Sequence, residues 1–341
     1  MRPQSLQPVP PLHLTANLFG LPFGLCGLAQ CWSASSILVG LPPWPAVALW
    51  VLAGLTWLLT LIAYGVNVVA TGRLRTELSD PVFAPFTALI VIVLMLIGVA
   101  LAAYQPAAGS IVFFAGLVST LLLGGWLTGG WILQDLTLAQ WHPGYFLPTV
   151  GGGLIAAAGS ASLGYDSLAM LMLGYGTVCW LVLGSILLLR LFTQPALPTP
   201  LLPTMAIELA PPVVAGSAWF AINGNQPDAI AFLLAGYGVL MLMVQVRLVP
   251  AYCRVPFGPG TWAYAFSYAA AITVTIRWLA AAQVDQQVVL TYALLAVITV
   301  AIGMLGLRTI RGLAQRNYLP RAAGGPIGSP RTTSAAHRPA R

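Results

Sequence analysis

The sequence predicts an all-α integral membrane protein, a bundle of about ten transmembrane helices. Three observations carry this. Of the 341 residues, 59% are hydrophobic and only 6% charged, where soluble proteins carry roughly 25%; a soluble fold has no way to hide so much apolar surface. The apolar residues fall in runs of about 20, the length a helix needs to cross a bilayer, and not in alternating runs of about 10. The basic residues, all of them arginine, sit at the ends of those runs. Within a bilayer every backbone polar group must be satisfied internally, and the run length selects helices over a barrel.

Residues 1–16 read as a cytoplasmic N-terminal segment, 17–310 as the ten-helix membrane domain, and 311–341 as a disordered basic cytoplasmic tail of Gly, Pro, Ser, Thr and Arg with nothing to pack. The spans fall approximately at 17–37, 43–68, 82–103, 108–128, 145–163, 167–192, 204–222, 228–249, 259–281 and 286–308. Arg73 and Arg75 follow span two, Arg190 span six, Arg247 and Arg254 lie at the end of span eight, and Arg308, Arg311, Arg316 and Arg321 follow span ten. With ten spans these ends share one side, and the positive-inside rule makes that side, with both termini, cytoplasmic. Arg277, at the far end of span nine, is the exception, and Asp166, Asp228 and Asp285 fall in the opposite loops. A signal peptide is the rival reading of the N-terminus; the long, proline-rich segment before the first run favours a true span.

An internal repeat is visible. Residues 147–176 and 202–238 both run LPT, then GSA, an acidic loop and GYG. The unit is a helical hairpin, and both copies start on the same side, so the repeat is parallel and five hairpins would make a ring about an axis along the membrane normal. The prolines agree. Pro22, Pro85, Pro148, Pro211 and Pro212 lie within odd spans and Pro259 opens another, whereas even spans carry proline only at their ends. Gly20, Gly24 and Gly27 accompany Pro22, and Gly151–Gly153 follow Pro148. Irregular backbone at membrane depth is tolerated only inside protein or beside a water-filled cavity. The odd spans are therefore expected inside and the even spans outside; close helix packing is the alternative role for the small residues.

No enzyme constellation is present. His13, His142 and His337 pair with no cysteine or carboxylate at ligand spacing, there is no lysine and no phosphate-binding loop, and Cys26, Cys31, Cys179 and Cys253 read as small core residues. No cofactor, metal or nucleic-acid partner is expected. Glu208 is the one carboxylate inside an apolar run. It would snorkel to the interface or pair with an arginine, with a proton-relay role as the alternative.

Specific segments resemble a known family. LFGLPFGLCGLAQCW (18–32), SDPVFAPFTALI (79–90), HPGYFLPT (142–149), GYGVLMLMVQVRLVP (236–250) and TWAYAFSY (261–268) are similar, in order, to the tellurite-resistance/dicarboxylate transporter family, whose TehA-type bacterial members are related to plant guard-cell slow anion channels. The resemblance covers about residues 17–310. It implies five hairpins, proline-kinked inner helices around a pore, a trimer in the bacterial inner membrane, and an aromatic plug on span nine at the position of Phe266. Ser267 stands where plant members usually have proline, and Glu208 at a position usually apolar in the family.

The function expected on these grounds is a passive channel for small anions such as chloride and nitrate through an uncharged pore, lined or kinked at Gly20, Pro22, Gly24, Pro85, Pro148, Thr149, Ser160, Pro211, Pro212, Ser217 and Ser267 and gated by Phe266. Tyr264 and Tyr268, each two residues from Phe266, point away from it. Without a fixed pore arginine, selectivity would follow the cost of dehydrating the anion. The alternative is a proton-coupled carrier for a dicarboxylate or an oxyanion such as tellurite or sulfite, with Glu208 as the coupling group.

Overall fold

The computed structural model describes residues 14–319. Its helices are α1 (Gly20–Val39), α2 (Trp44–Thr71), the short α3 (Leu74–Leu78), α4 (Ala88–Ala102), α5 (Pro106–Leu133), α6 (Gly152–Ser162), α7 (Asp166–Thr193), α8 (Ala210–Ile222), α9 (Ala229–Tyr252), α10 (Ala263–Ala282) and α11 (Gln287–Ala314). Nine helical segments among the described residues are long and apolar enough to cross a membrane. The tenth predicted span, 145–163, is also helical, but in three geometries. A 3-10 turn over Pro143–Phe146 and a π turn over Leu147–Gly151 run directly into α6.

The proline bias predicts bent inner helices, and the structure places the irregularity in their opening turns. Each of α1, α4, α6, α8 and α10 is led in by non-α turns: Ala16–Phe19, Ala84–Thr87, Pro143–Gly151, Thr199–Leu209 and Pro259–Trp262. Pro85, Pro143, Pro148, Pro200, Pro203 and Pro259 lie in these turns. A proline has no N–H for the i−4 carbonyl, so the chain takes the tighter or wider repeat instead. The eleven-residue 3-10 stretch Thr199–Leu209 is long for that geometry, where runs beyond about four residues are uncommon.

The five inner helices close a ring. α1 packs on α4, α4 on α6, α6 on α8, α8 on α10, and α10 back on α1. Each carries its partner outside: α2 on α1, α5 on α4, α7 on α6, α9 on α8 and α11 on α10. Burial follows this division. The apolar stretches containing α1, α4, α8 and α10 are 44% to 67% buried, those of the outer helices 11% to 33%, and most of α6 is buried. The outer helices turn exposed rows outward, among them Leu55, Leu59, Ile62, Val66 and Val69 of α2. Tryptophans on either layer tie the two together: Trp57 Nε1 donates to the Ile90 carbonyl, Trp50 to Ser33 and Trp262 to Thr309.

The repeat motifs occupy matching places. Both LPT triplets lie in irregular opening turns, and the second glycine of each GYG, Gly176 and Gly238, faces the paired inner helix at Leu154 and Val213. Other expectations change. The chain stays helical to Ala314, and Tyr318 is buried against Gly312, because its ring has a pocket beside Phe257; the expected tail lies outside the described residues from 320 onward, as does the N-terminal segment up to residue 13. Leu14 and Ala16 of that segment are held by Asn67 Oδ1 and Glu77 Oε1. Cys26 and Cys31 are buried, but Cys253 is exposed at the arginine flank. Arg190 is no surface marker: it is 3% exposed and donates to the Ala139 carbonyl at 3.2 Å.

Candidate functional site

Two cavities lie inside the ring. The first, of about 50 Å³, is at the arginine-rich end among the opening turns; its lining is apolar apart from Asn17 and Ser267, and includes Gly20, Phe23, Leu89, Pro211 and Trp262. The second, of about 490 Å³, opens toward the other end between the last turns of α1, α4, α6 and α10, together with α8 and the first turns of the outer helix α2. Ile155 of α6, Val214 of α8 and Phe266 of α10 line both, so the cavities meet across these three apolar side chains. Phe266 is 4% exposed and stacks on Phe23 of α1, with ring centroids 3.7 Å apart and planes 13° from parallel.

The helical period sorts the aromatics of α10 as expected. Phe266 faces the cavities, while Tyr264 and Tyr268 stack on each other on another face. There Tyr268 and Tyr252 both donate to Gln245 Oε1, and Gln245 Nε2 donates to the Met205 carbonyl. Gln245, 2% exposed, thus supplies a partner to the proline-disturbed backbone of Thr199–Leu209, which buried polar groups require.

Of the residues singled out from sequence, Gly20, Pro211 and Ser267 line the first cavity, Ser217 the second, and Phe266 both. Pro22, Gly24, Pro85, Pro148, Thr149, Ser160 and Pro212 line neither. Gly24 serves helix packing: a Cβ there would lie 2.5 Å from Ala265 Cβ and 2.9 Å from Trp262 Cε3. Gly27 faces Ala269 and Phe266 in the same way. Thr149 lies near Gly124 of α5 and beside the Cys179 thiol of α7, and the Ser160 hydroxyl is buried without a partner among the described residues. Pro212 faces Gly238 of α9.

Glu208 neither snorkels nor pairs. It is 5% exposed, its Oε1 is buried without a partner among the described residues, and its electrostatic neighbours are Tyr237 and Tyr252. Its place on the 3-10 segment Thr199–Leu209, under Tyr237 and Tyr252 of α9, keeps it from the interface. The expectation of walls without fixed charge also fails at the far end, where the second cavity is lined by Arg277. Its spacing could have revealed this: 266, 270, 273 and 277 fall on one helical face, and Phe266, Ala270, Thr273 and Arg277 all line that cavity. Nothing in sequence spacing marks Phe23, Ile155 or Val214, since which helix faces which is a tertiary property.

Two buried ionisable groups outside the spans are structural. His142 is fully buried; its Nδ1 accepts from the Gly144 N–H at 3.2 Å and its Nε2 contacts the Pro81 carbonyl at 3.3 Å, a neutral arrangement, and burial lowers its pKa. Glu77 accepts from Ala16 N–H at 2.6 Å and Tyr64 O–H at 3.0 Å, while burial raises its carboxyl above the usual range.

Residues 13–310 match the voltage-dependent anion channel family SLAC1. The chain is 32% identical to a Haemophilus influenzae tellurite resistance protein TehA homolog, over 76% of this chain and 79% of that protein. It is 24% identical to the Arabidopsis thaliana S-type anion channel SLAH3 over 88% of this chain, which spans about half the length of that relative (48%). The guard cell S-type anion channel SLAC1 of the same plant is 26% identical over 46% of this chain. The five-hairpin membrane protein described above therefore belongs to the SLAC1 voltage-dependent anion channel family.

Proposed function

We propose that this protein is a passive channel for small monovalent anions, with chloride and nitrate as test ions, whose path follows the axis of the five-helix ring and is closed by Phe266. The observation that carries the reading is the shared wall of the two cavities: Phe266, backed by Phe23, with Ile155 and Val214 opposite. A ring in that place blocks the path sterically and favours dewetting without putting charge in the way. Apolar walls on the arginine-rich side make dehydration the main cost of passage, so large, weakly hydrated anions should pass best. The test is current through planar bilayers: Phe266→Ala should carry anion current well above wild type, with reversal potentials that rank nitrate over chloride. A variant of unchanged stability and unchanged current would reject the plug, and a preference for strongly hydrated anions would reject the selectivity argument.

Glu208 supports a second reading, a proton-coupled carrier for a dicarboxylate or oxyanion, because an unpartnered carboxyl buried beneath α9 is a natural proton site. Such a carrier shows saturable, pH-driven uptake that Glu208→Gln abolishes; uptake unchanged by that substitution removes this reading. We further propose a homotrimer in the bacterial inner membrane, with the arginine-rich end and both termini cytoplasmic. The exposed apolar faces of the outer helices would then meet lipid or a neighbouring subunit, and each subunit would keep its own path. Native mass in mild detergent tests the trimer, and a stable monomer or dimer would defeat it.

A further inference from the structure

The second cavity contains a group that the channel reading does not use. Arg277 is the basic residue placed against the trend of all the others, at the end of the molecule where Asp166, Asp228 and Asp285 lie. Its side chain lines the cavity. One guanidinium nitrogen donates to Asn225 Oδ1 across a long 3.4 Å, and Nε is buried with no partner among the described residues. No carboxylate among the described residues is paired with it. Asp228 is occupied elsewhere: its Oδ1 accepts from Trp219 Nε1 at 2.8 Å and from the Ala231 N–H at 2.9 Å, capping α9. A partly buried arginine without a counter-ion is costly, and this cost is relieved by an anion.

The other polar groups around the cavity are suited to that anion. Ser217 on α8 lines the same space, and its hydroxyl has no partner among the described residues. Thr273 lies one turn before Arg277, and Gln30 and Ser36 of α1 line the cavity too. These are neutral hydroxyl and amide groups beside one cation, a set that can replace part of a monovalent anion's water without holding it too tightly to leave. Three turns of α10, about 16 Å at 1.5 Å per residue, separate Arg277 from Phe266. The same helical face therefore carries a cation at the cavity mouth and the apolar ring at its floor.

We propose that Arg277, with the Ser217 hydroxyl lining the same cavity, forms a capture site for a monovalent inorganic anion in this vestibule, which concentrates the ion before it reaches Phe266. The proposal rests on the reading of the ring axis as an anion path. A unit charge a few ångströms from the ion changes local occupancy by about three- to tenfold in a wet vestibule, and the effect weakens once the Debye length falls from about 20 Å to a few ångströms with rising salt.

The experiment uses full-length protein in planar bilayers, in a Phe266→Ala background, with chloride and then nitrate added to one side at a time. Arg277→Gln should cut anion current entering from the Arg277 side about three- to tenfold at low salt, reduce current from the opposite side less, and lose most of this difference near 1 M salt. Arg277→Lys, which keeps the charge, should retain most of the capture. Ser217→Asp, which sets a carboxylate in the vestibule with Arg277 intact, should reproduce the loss and guards against a folding failure of Arg277→Gln. Sided, salt-dependent loss in the Gln and Asp variants with retention in the Lys variant supports the site. Equal impairment by Lys and Gln makes Arg277 a structural anchor of the Asn225 loop and overturns the proposal, as does an unchanged current in the Gln and Asp variants. Absence of any anion current from the Phe266→Ala protein removes the path, and the site with it; current in that protein with no effect at Arg277 sinks the site alone.

Discussion

Replacing Gly24 by alanine should loosen both the fold and the plug. The new Cβ would lie 2.5 Å from Ala265 Cβ and 2.9 Å from Trp262 Cε3, against ordinary carbon contacts of about 3.5–4.0 Å. α1 and α10 must therefore separate by roughly 1 Å or distort, and overpacking of this kind costs about 1–3 kcal/mol. In a domain of this size that lowers Tm by several degrees, at about 2–4 °C per kcal/mol. The same separation acts on the Phe23–Phe266 stack, now 3.7 Å between centroids, since a gap of 0.5–1 Å forfeits about a quarter to a half of the dispersion attraction. Basal anion current should then rise, though less than in Phe266→Ala. Thermal melting in detergent and bilayer recording on the same preparation read both effects. Because the nearest obstacle is the Ala265 methyl, Ala265→Gly should restore part of both. An unaltered melting temperature and current, or a double variant no better than Gly24→Ala alone, would refute the reasoning.

Three other outcomes follow from the packing and the buried polar groups. Gly109→Ala should destabilise more than Gly24→Ala, because its Cβ would run into the backbone of Ala102 and backbone yields less easily than a side chain; a comparable melting temperature would contradict this. Glu77→Ala strips two buried donors, Ala16 N–H and Tyr64 O–H, of their acceptor and should cost about 2–4 kcal/mol, read as a lower Tm and faster proteolysis before α1. His142 is held neutral by burial, so its pKa lies below the unfolded value of about 6.5. Below that pH the unfolded chain takes up a proton that the folded chain does not. The stability present above pH 6.5 should therefore decline as pH falls, by up to about 1.4 kcal/mol per unit. His142→Asn should flatten the dependence of Tm on pH between 7 and 5, and parallel slopes would exclude His142 as its source.

By itself the sequence determined what depends on solvent and on local backbone chemistry. The bilayer is an apolar solvent about 20 helical residues thick, so run length and arginine placement located the ten spans whatever they packed against. Proline's missing N–H acts within its own chain segment, so the odd spans were recognisable as the irregular, inner ones. The spacing from Phe266 to Arg277 was equally local and already contained the cavity face of α10. Only the tertiary structure decided which neighbour each face meets: that Gly24 and Gly27 admit α10, that Phe23 backs Phe266, that Ile155 and Val214 complete the wall between the cavities, and that Glu208 is shut under α9. It also moved the bends from mid-helix to the opening turns, where Gln245 of α9 could meet the Met205 carbonyl. These are contacts between segments tens to hundreds of residues apart, fixed by helix rotation and crossing, and a one-dimensional hydropathy pattern in a membrane holds little of that information because lipid and protein neighbours are equally apolar.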